Sequence, residues 1–359
     1  MKQYLFALLF AISHFSFAVA QTQISQYQPG ATTDGAIYFL PKTALRFNVL
    51  VEKATYTPGD FAPYALRYMR LKDVPLESST QYRIISIRQT AIGVADTTKR
   101  FAVKFNPKTV AANVSLSEDG RLLGINSDAK EAPLPAPFQA APKVAPVNPR
   151  QFMTEEILAA GSTAKMAEFT AREIYDLREN RNLLIKGQAD FMPKDGDQLK
   201  QMLNHLDTQD HALTSLFQGT IERDTTEHII TVVPDGPFQR QVLFRLSQQL
   251  GMVDADDYSG APFYITIEDL QTVPPVDEAA AAKTKKKQYE AGIYVNVPGR
   301  MRSIVYQGID VLQTQEHPAP QFGNVELLSG ELFNKHYDTR LWVSPITGAI
   351  ERLEAAEPQ

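Results

Sequence analysis

Ser162-Thr163-Ala164-Lys165 has the Ser-x-x-Lys spacing. In one class of acyl-transfer enzymes, a lysine one helical turn beyond the serine assists its attack on a carbonyl. Those enzymes also need a Ser-x-Asn element and a Lys-Thr-Gly strand for the proton relay and the substrate carboxylate, and neither follows here. Ser162 therefore reads as a helix cap, its hydroxyl accepting an orphan backbone N–H. Asp254, Asp256, Asp257 and Gly260 suggest a calcium loop. Counted from Asp254, however, the sixth position is Ser259 where a sharp turn needs glycine, and the twelfth is Ile265 where the cation needs a bidentate glutamate. An acidic surface turn before a strand at Phe263 is the better reading.

His205, Asp207, Asp210 and His211 crowd one helical stretch. At about 100° per residue the two histidines diverge by about 240°, too far to share a metal. Asp207 and His211, four apart, suit an ordinary surface pair. No His-x-x-x-His or His-Glu-x-x-His pattern occurs, and a metal site would have to recruit His228, His317 or His336 from elsewhere. Gly30 and Gly35 have P-loop spacing, but Ala36 and Ile37 stand where Lys and Ser or Thr must be. Glu155-Glu156 and Glu268-Asp269 are paired acids of the type used for glycoside hydrolysis, yet they read as a helix start and a strand end. Lys283, Lys285, Lys286 and Lys287 form a basic cluster in a long loop, read as a solvated segment ahead of an anionic-surface contact. Tyr64, Tyr68 and Trp342 could line a glycan site, but core packing is the ordinary role of aromatics at such spacings. No catalytic, cofactor-binding or metal-binding residue is singled out, and no cofactor is implied.

The chain has no cysteine, which excludes disulfides, thiol nucleophiles and thiolate metal sites. Its formal net charge of −5 argues against nucleic acid as a partner. Lys2, the apolar run Tyr4–Phe17 and Ala18-Val19-Ala20 read as a cleavable export leader, with Gln21 the first mature residue. No cysteine follows the cleavage point and no later stretch is long enough to span a bilayer, so the mature chain is expected to carry no transmembrane segment and to be soluble in the periplasm, with full secretion as the alternative.

The elements that must position any site follow from periodicity. After the leader (1–20) and a polar lead-in (21–35), residues 36–127 read as a mostly β domain. Within it, a strand over Ile37–Val51 is interrupted at Pro41. A short amphipathic helix over Phe61, Tyr64, Tyr68 and Leu71 is capped by Asp60, and two separate strands lie at Tyr82–Ile87 and Phe101–Phe105. A hairpin spans Asn113–Ile125, with Glu118-Asp119-Gly120 at its turn. Residues 128–150, rich in Pro and Ala, read as a semi-rigid linker. Two helical patterns within 151–219, broken at Gly187–Gly196, predict an antiparallel hairpin of helices roughly 35 Å long. Residues 220–354 read as a β domain of sandwich or barrel type, with Pro298-Gly299 as a turn between two short strands. The expected class is α+β: two β-rich domains with a helical hairpin between them.

Several short blocks stand in the same order as in a known family. They are Leu-Pro-Lys-Thr at 40–43, Pro-Gly-Asp-Phe-Ala at 58–62, Glu173-Ile174-Tyr175, the run Arg178 to Asn182, Pro193 to Gly196, and Asp257 to Gly260. With them the chain resembles, over nearly its full mature length, a domain-of-unknown-function family of uncharacterised exported proteins from Gram-negative gut anaerobes. The resemblance implies an envelope location and a shared architecture, and supplies no catalytic residue, substrate or cofactor. The leading expectation is a non-enzymatic envelope protein that binds or assembles with a protein partner or envelope component. The alternative is a hydrolase acting on glycans or peptides, with its site between domains.

Overall fold

The structure, a computed structural model, describes residues 36–103, 113–131, 133–143, 145–275, 292–329, 332 and 338–356. The expected leader, the lead-in and the Lys283–Lys287 cluster lie outside the described residues. The chain is β-rich, and among the described residues its strands pair antiparallel in three sheets. The first has the order β2-β1-β5, from β1 (Ala36–Thr57), β2 (Ser79–Val103) and β5 (Thr220–Val232). The second runs β10-β9-β8-β6-β7, from β6 (Phe238–Ser247), β7 (Gly251–Val253), β8 (Ala261–Asp269), β9 (Gly292–Gln307) and β10 (Asp310–Ser329). The third is β12-β11-β4-β3, from β3 (Val114–Leu116), β4 (Leu122–Ile125), β11 (Asp338–Val343) and β12 (Ile350–Ala356). No helix among the described residues is long and apolar enough to cross a membrane.

One strand feeds two cores. Leu45, Phe47, Val49 and Val51 of β1 are buried against Phe244, Phe263, Ile265, Met301 and Val305 of the second sheet. Nearer its start, Tyr38 and Leu40 pack instead with Leu122, Ile125, Leu341 and Val343 of the third sheet and with Ile293 and Val295 of β9. The inward set changes from even to odd numbers across the register shift between Phe39 and Pro41. A strand has a side-chain period of two, so an irregularity that shifts register by an odd number of residues, here three (two on β1 against five on β2), exchanges its faces. Pro41, which has no N–H to give a ladder, sits at that irregularity, so the expected interruption there is a bulge inside one strand. Hydrogen bonds lock the junction. Tyr38 Oη donates to the Tyr294 carbonyl at 3.0 Å and accepts from its N–H at 2.7 Å. Asn296 Nδ2 donates to the carbonyls of Pro41 and Thr347 at 2.9 and 2.8 Å.

The sheets do not follow the boundaries expected at 36–127 and 220–354. β1 pairs with β5 from Leu45↔Val232 to Thr57↔Thr220, and β4 pairs with β11 at Leu341↔Ile125. Strands from both sides of the helices are thus interleaved, because a 22-residue β1 offers two long hydrogen-bonding edges and each needs a partner. The strands expected at Tyr82–Ile87 and Phe101–Phe105 belong, as far as they are described, to the single strand β2. Within it Ile85 has no opposite number in the ladder and points outward, half exposed.

The helical hairpin forms as its periodicity predicts. After the short α1 (Glu155–Leu158) come α2 (Thr163–Lys186) and α3 (Gly196–Gln218), capped by Ser162 and Asp195, with Gly187 in the left-handed conformation ending α2. Ala167, Ala171, Ile174, Leu213, Leu216 and Phe217 bury the hairpin's base against Phe61, Ala65 and Met69. The short amphipathic helix expected at Phe61–Leu71 is present but is not α-helical, and Asp60 does not cap it. It is a 3-10 turn over Ala62–Tyr64 running into one wide turn over Ala65–Met69, with no side-chain cap. Pro63, its second residue, lies in the first turn, where a missing N–H costs nothing. The chain must also hug α3, since a Cβ on Gly59 would overlap the Leu216 carbonyl. Nor is Pro298-Gly299 a turn. Both lie inside β9, where Gly299 and Gly323 press against the opposing backbone at a bulge between Ala319 and Asn324.

Candidate functional site

The turn between β3 and β4 builds the wall of a cleft. Gly120, at φ +82°, closes the turn, and Phe39 of β1 donates its N–H to the Gly120 carbonyl at 2.9 Å. This delivers Arg121 to the interior with only 4% of its surface exposed. A buried guanidinium must have its donors met. Here Nε reaches both Asp119 oxygens at 2.7 and 2.8 Å, Nη1 donates to the Pro345 carbonyl, and Nη2 pairs with Glu131. Arg121 thereby ties together the β3–β4 turn, the proline-rich stretch and the turn that follows β11. Burial pushes the Asp119 carboxyl up, but hydrogen bonds from Ser117, Arg121 and the Ala95 N–H together with the Arg121 charge outweigh it, holding Asp119 below the usual carboxylate range.

These three segments enclose a cleft of about 660 Å³, within the range of pockets that accept small ligands or a few peptide residues. Its floor is Thr90, Ala91, Ile92 and Gly93 of β2, one side is Pro133, Leu134 and Pro135, and the other is Pro345 and Ile346. Glu118, Asp119, Arg121 and Glu131 form the polar end. β2 is an edge strand, paired on one side with β1 and on the other with no strand among the described residues. The proline-rich stretch continues from the cleft to β5, where the Phe138 N–H donates to Glu227 at 3.0 Å and Lys143 reaches Glu222 at 3.1 Å. The expected linker is therefore an extended strap tied at three points to the sheets.

Residues singled out from the sequence are elsewhere and have structural employment. Ser162 Oγ accepts the Lys165 N–H at 3.3 Å, while Lys165 Nζ turns to Glu168 and to the Phe169 ring. Arg245 crosses the acidic turn: Nε donates to the Ala255 carbonyl at 2.6 Å and Nη1 to that of Gly260 at 3.1 Å, beneath the Tyr258 ring. Asp207 pairs with Arg181 at 2.6 Å, in place of the His211 contact the spacing suits, and Asp210 with Arg178 at 2.9 Å. Glu155 and Glu156 lie in the first turn of α1, and Glu268 faces Arg302 at the end of β8. Tyr64 and Tyr68 pack beside the hairpin base, and Trp342 lies under Arg352. His317 touches Gln89 and His228 touches Thr226. Among the described residues no three metal-ligand side chains come together. Gly30, Gly35 and His336 lie outside the described residues.

A family model matches residues 34–351. The chain belongs to the domain of unknown function family DUF4831. The DUF4831 match takes in the three sheets up to the start of β12, the hairpin, the strap and every residue of the cleft. No curated protein and no solved structure matches the chain. Sequence reading did not find the cleft. Its hairpin turn at Glu118-Asp119-Gly120 was legible, but nothing in the spacing of Arg121, Glu131 and Pro345 announces that they meet.

Proposed function

We propose that this DUF4831 protein is an exported envelope protein, cleaved after Ala20 and periplasmic, that acts non-enzymatically by holding an extended segment of a partner protein in the cleft. The leader-like residues 2–20 support the location. One observation carries the binding role: the cleft floor, Thr90–Gly93, lies on an edge of β2 that is free among the described residues, flanked by apolar walls. An edge strand presents unpaired N–H and C=O groups that an extended peptide can meet, while a neighbouring pocket takes its side chains. The guanidinium of Arg121 supports the same reading, since its bonds hold three segments in place and leave the walls to make the contact.

The reading is tested by placing a photo-crosslinking side chain at Leu134, which is 59% exposed on the cleft wall, and at Tyr258, 87% exposed in the acidic turn, as a control. Illumination of the cell envelope is expected to give a discrete adduct from position 134 alone. The same faint ladder from both positions would count against the cleft.

A further inference from the structure

Resting on the reading of the cleft as a peptide site, we infer that it selects an extended segment carrying a basic side chain flanked by aliphatic ones. Among the described residues the cleft contains three carboxylates, Glu118, Asp119 and Glu131, against one cation, Arg121. The guanidinium is committed to Asp119, Glu131 and the Pro345 carbonyl, so it has no free face for an anion. Glu118 is exposed at the rim and makes no hydrogen bond or ion pair among the described residues. Its charge is thus available to a ligand, and the low-dielectric walls on either side lessen the screening of that charge. The apolar sides formed by Leu134, Pro135 and Ile346 suit the methylene stem of a lysine or arginine, which buries its carbons while its head reaches a carboxylate. An acidic side chain at the same place would meet the unpaired Glu118 carboxylate at an end whose charge, three carboxylates less one guanidinium, is net negative.

The test uses the full mature chain and three labelled peptides, acetyl-Thr-Val-X-Val-Thr-amide with X as Lys, Gln or Glu, titrated by fluorescence anisotropy. The Lys peptide is expected to bind roughly tenfold more tightly than the Glu peptide, with Gln between them. Glu118→Gln, a change on an exposed turn, is expected to cut that preference by roughly threefold to fivefold, and added salt to shrink it further. Asp256→Asn, an equal charge change in the distant acidic turn, is expected to leave it intact. Equal binding of the three peptides, or a preference untouched by Glu118→Gln, overturns the selection for basic side chains and leaves the cleft as a peptide site. Failure of all three to bind removes both readings.

Discussion

Gly93 on β2 and Pro345 in the turn after β11 touch backbone to backbone, with no room for a methyl group between them. A Cβ built on Gly93 would overlap the Pro345 carbonyl oxygen, the same atom that accepts from Arg121, and would crowd Arg121 Nη1 at 2.6 Å. This one contact sets both the closeness of the third sheet to β2 and the width of the cleft. Gly93→Ala is expected to destabilise the chain by about 1–3 kcal/mol, the usual cost of forcing an added carbon into a packed site. It is also expected to weaken peptide binding. Urea melts and peptide titrations on the same variant check this; unchanged stability would mean that the turn moves freely.

Arg178 and Asp210 join the two helices of the hairpin through two parallel hydrogen bonds, with Thr214 donating to the same carboxylate at 2.8 Å. Burial pushes the Asp210 carboxyl up, but the Arg178 and Thr214 hydrogen bonds and the Arg178 charge outweigh it, so it is held below its usual value. A carboxylate with a lowered folded value stabilises the fold above its unfolded pKa and loses that contribution as pH falls through the folded one. Solvent still reaches 40% of the Arg178 side chain. Asp210→Asn is therefore expected to cost only about 1–2 kcal/mol at pH 7. The difference from the parent should close in acid; a cost that persists once Asp210 is protonated in the folded and unfolded parent alike would point to packing instead.

The hairpin was readable because Ala167, Ala171, Ile174 and Leu177 repeat at three and four residues, a local signal that needs no partner to interpret. Most strands of the second sheet were readable from alternation for the same reason. The way strands combine was not. Leu45 meets Val232 and Ile125 meets Leu341 across most of the chain, and antiparallel pairing leaves no mark on either sequence beyond an apolar pattern. Pro298-Gly299 misled because the residues that reverse a chain are also those that allow two backbones to approach at a bulge. The cleft is a junction of this second kind, built from Arg121, Glu131 and Pro345, whose meeting depends on how the sheets stack.

Arg245 crosses the acidic turn, spanning the Ala255 and Gly260 carbonyls. Lysine has one ammonium and cannot reproduce the two-point fork. Arg245→Lys is expected to cost about 1.5–3 kcal/mol, the worth of a hydrogen bond from a charged donor at a part-buried site. Calcium is expected to leave the melting temperature of the parent unchanged, because the turn's carbonyls already have their donor. A rise in Tm with millimolar calcium, abolished by a chelator, would show that the turn binds the ion after all.

Gln89 reaches across from the first sheet to the second, its amide nitrogen 2.6 Å from Ser303 Oγ and 2.8 Å from His317 Nε2, while its oxygen accepts from Gln313 at 3.0 Å. An amide donor facing Nε2 needs a lone pair there, so His317 is held as the neutral ring, and burial lowers its pKa from 6.5. Protonation would set one N–H against another. A histidine with a lowered folded value takes its proton first in the unfolded chain, so the fold loses stability as pH falls through about 6.5 and the loss levels off below the folded value. Urea midpoints of the parent are expected to fall between pH 7.5 and 5.5, and those of His317→Gln, which keeps an acceptor but cannot titrate, to fall less. Asp119 and Asp210, both held below the usual carboxylate range, respond only in stronger acid and do not confuse the window. Parallel pH profiles for the two proteins would remove His317 as the titrating group.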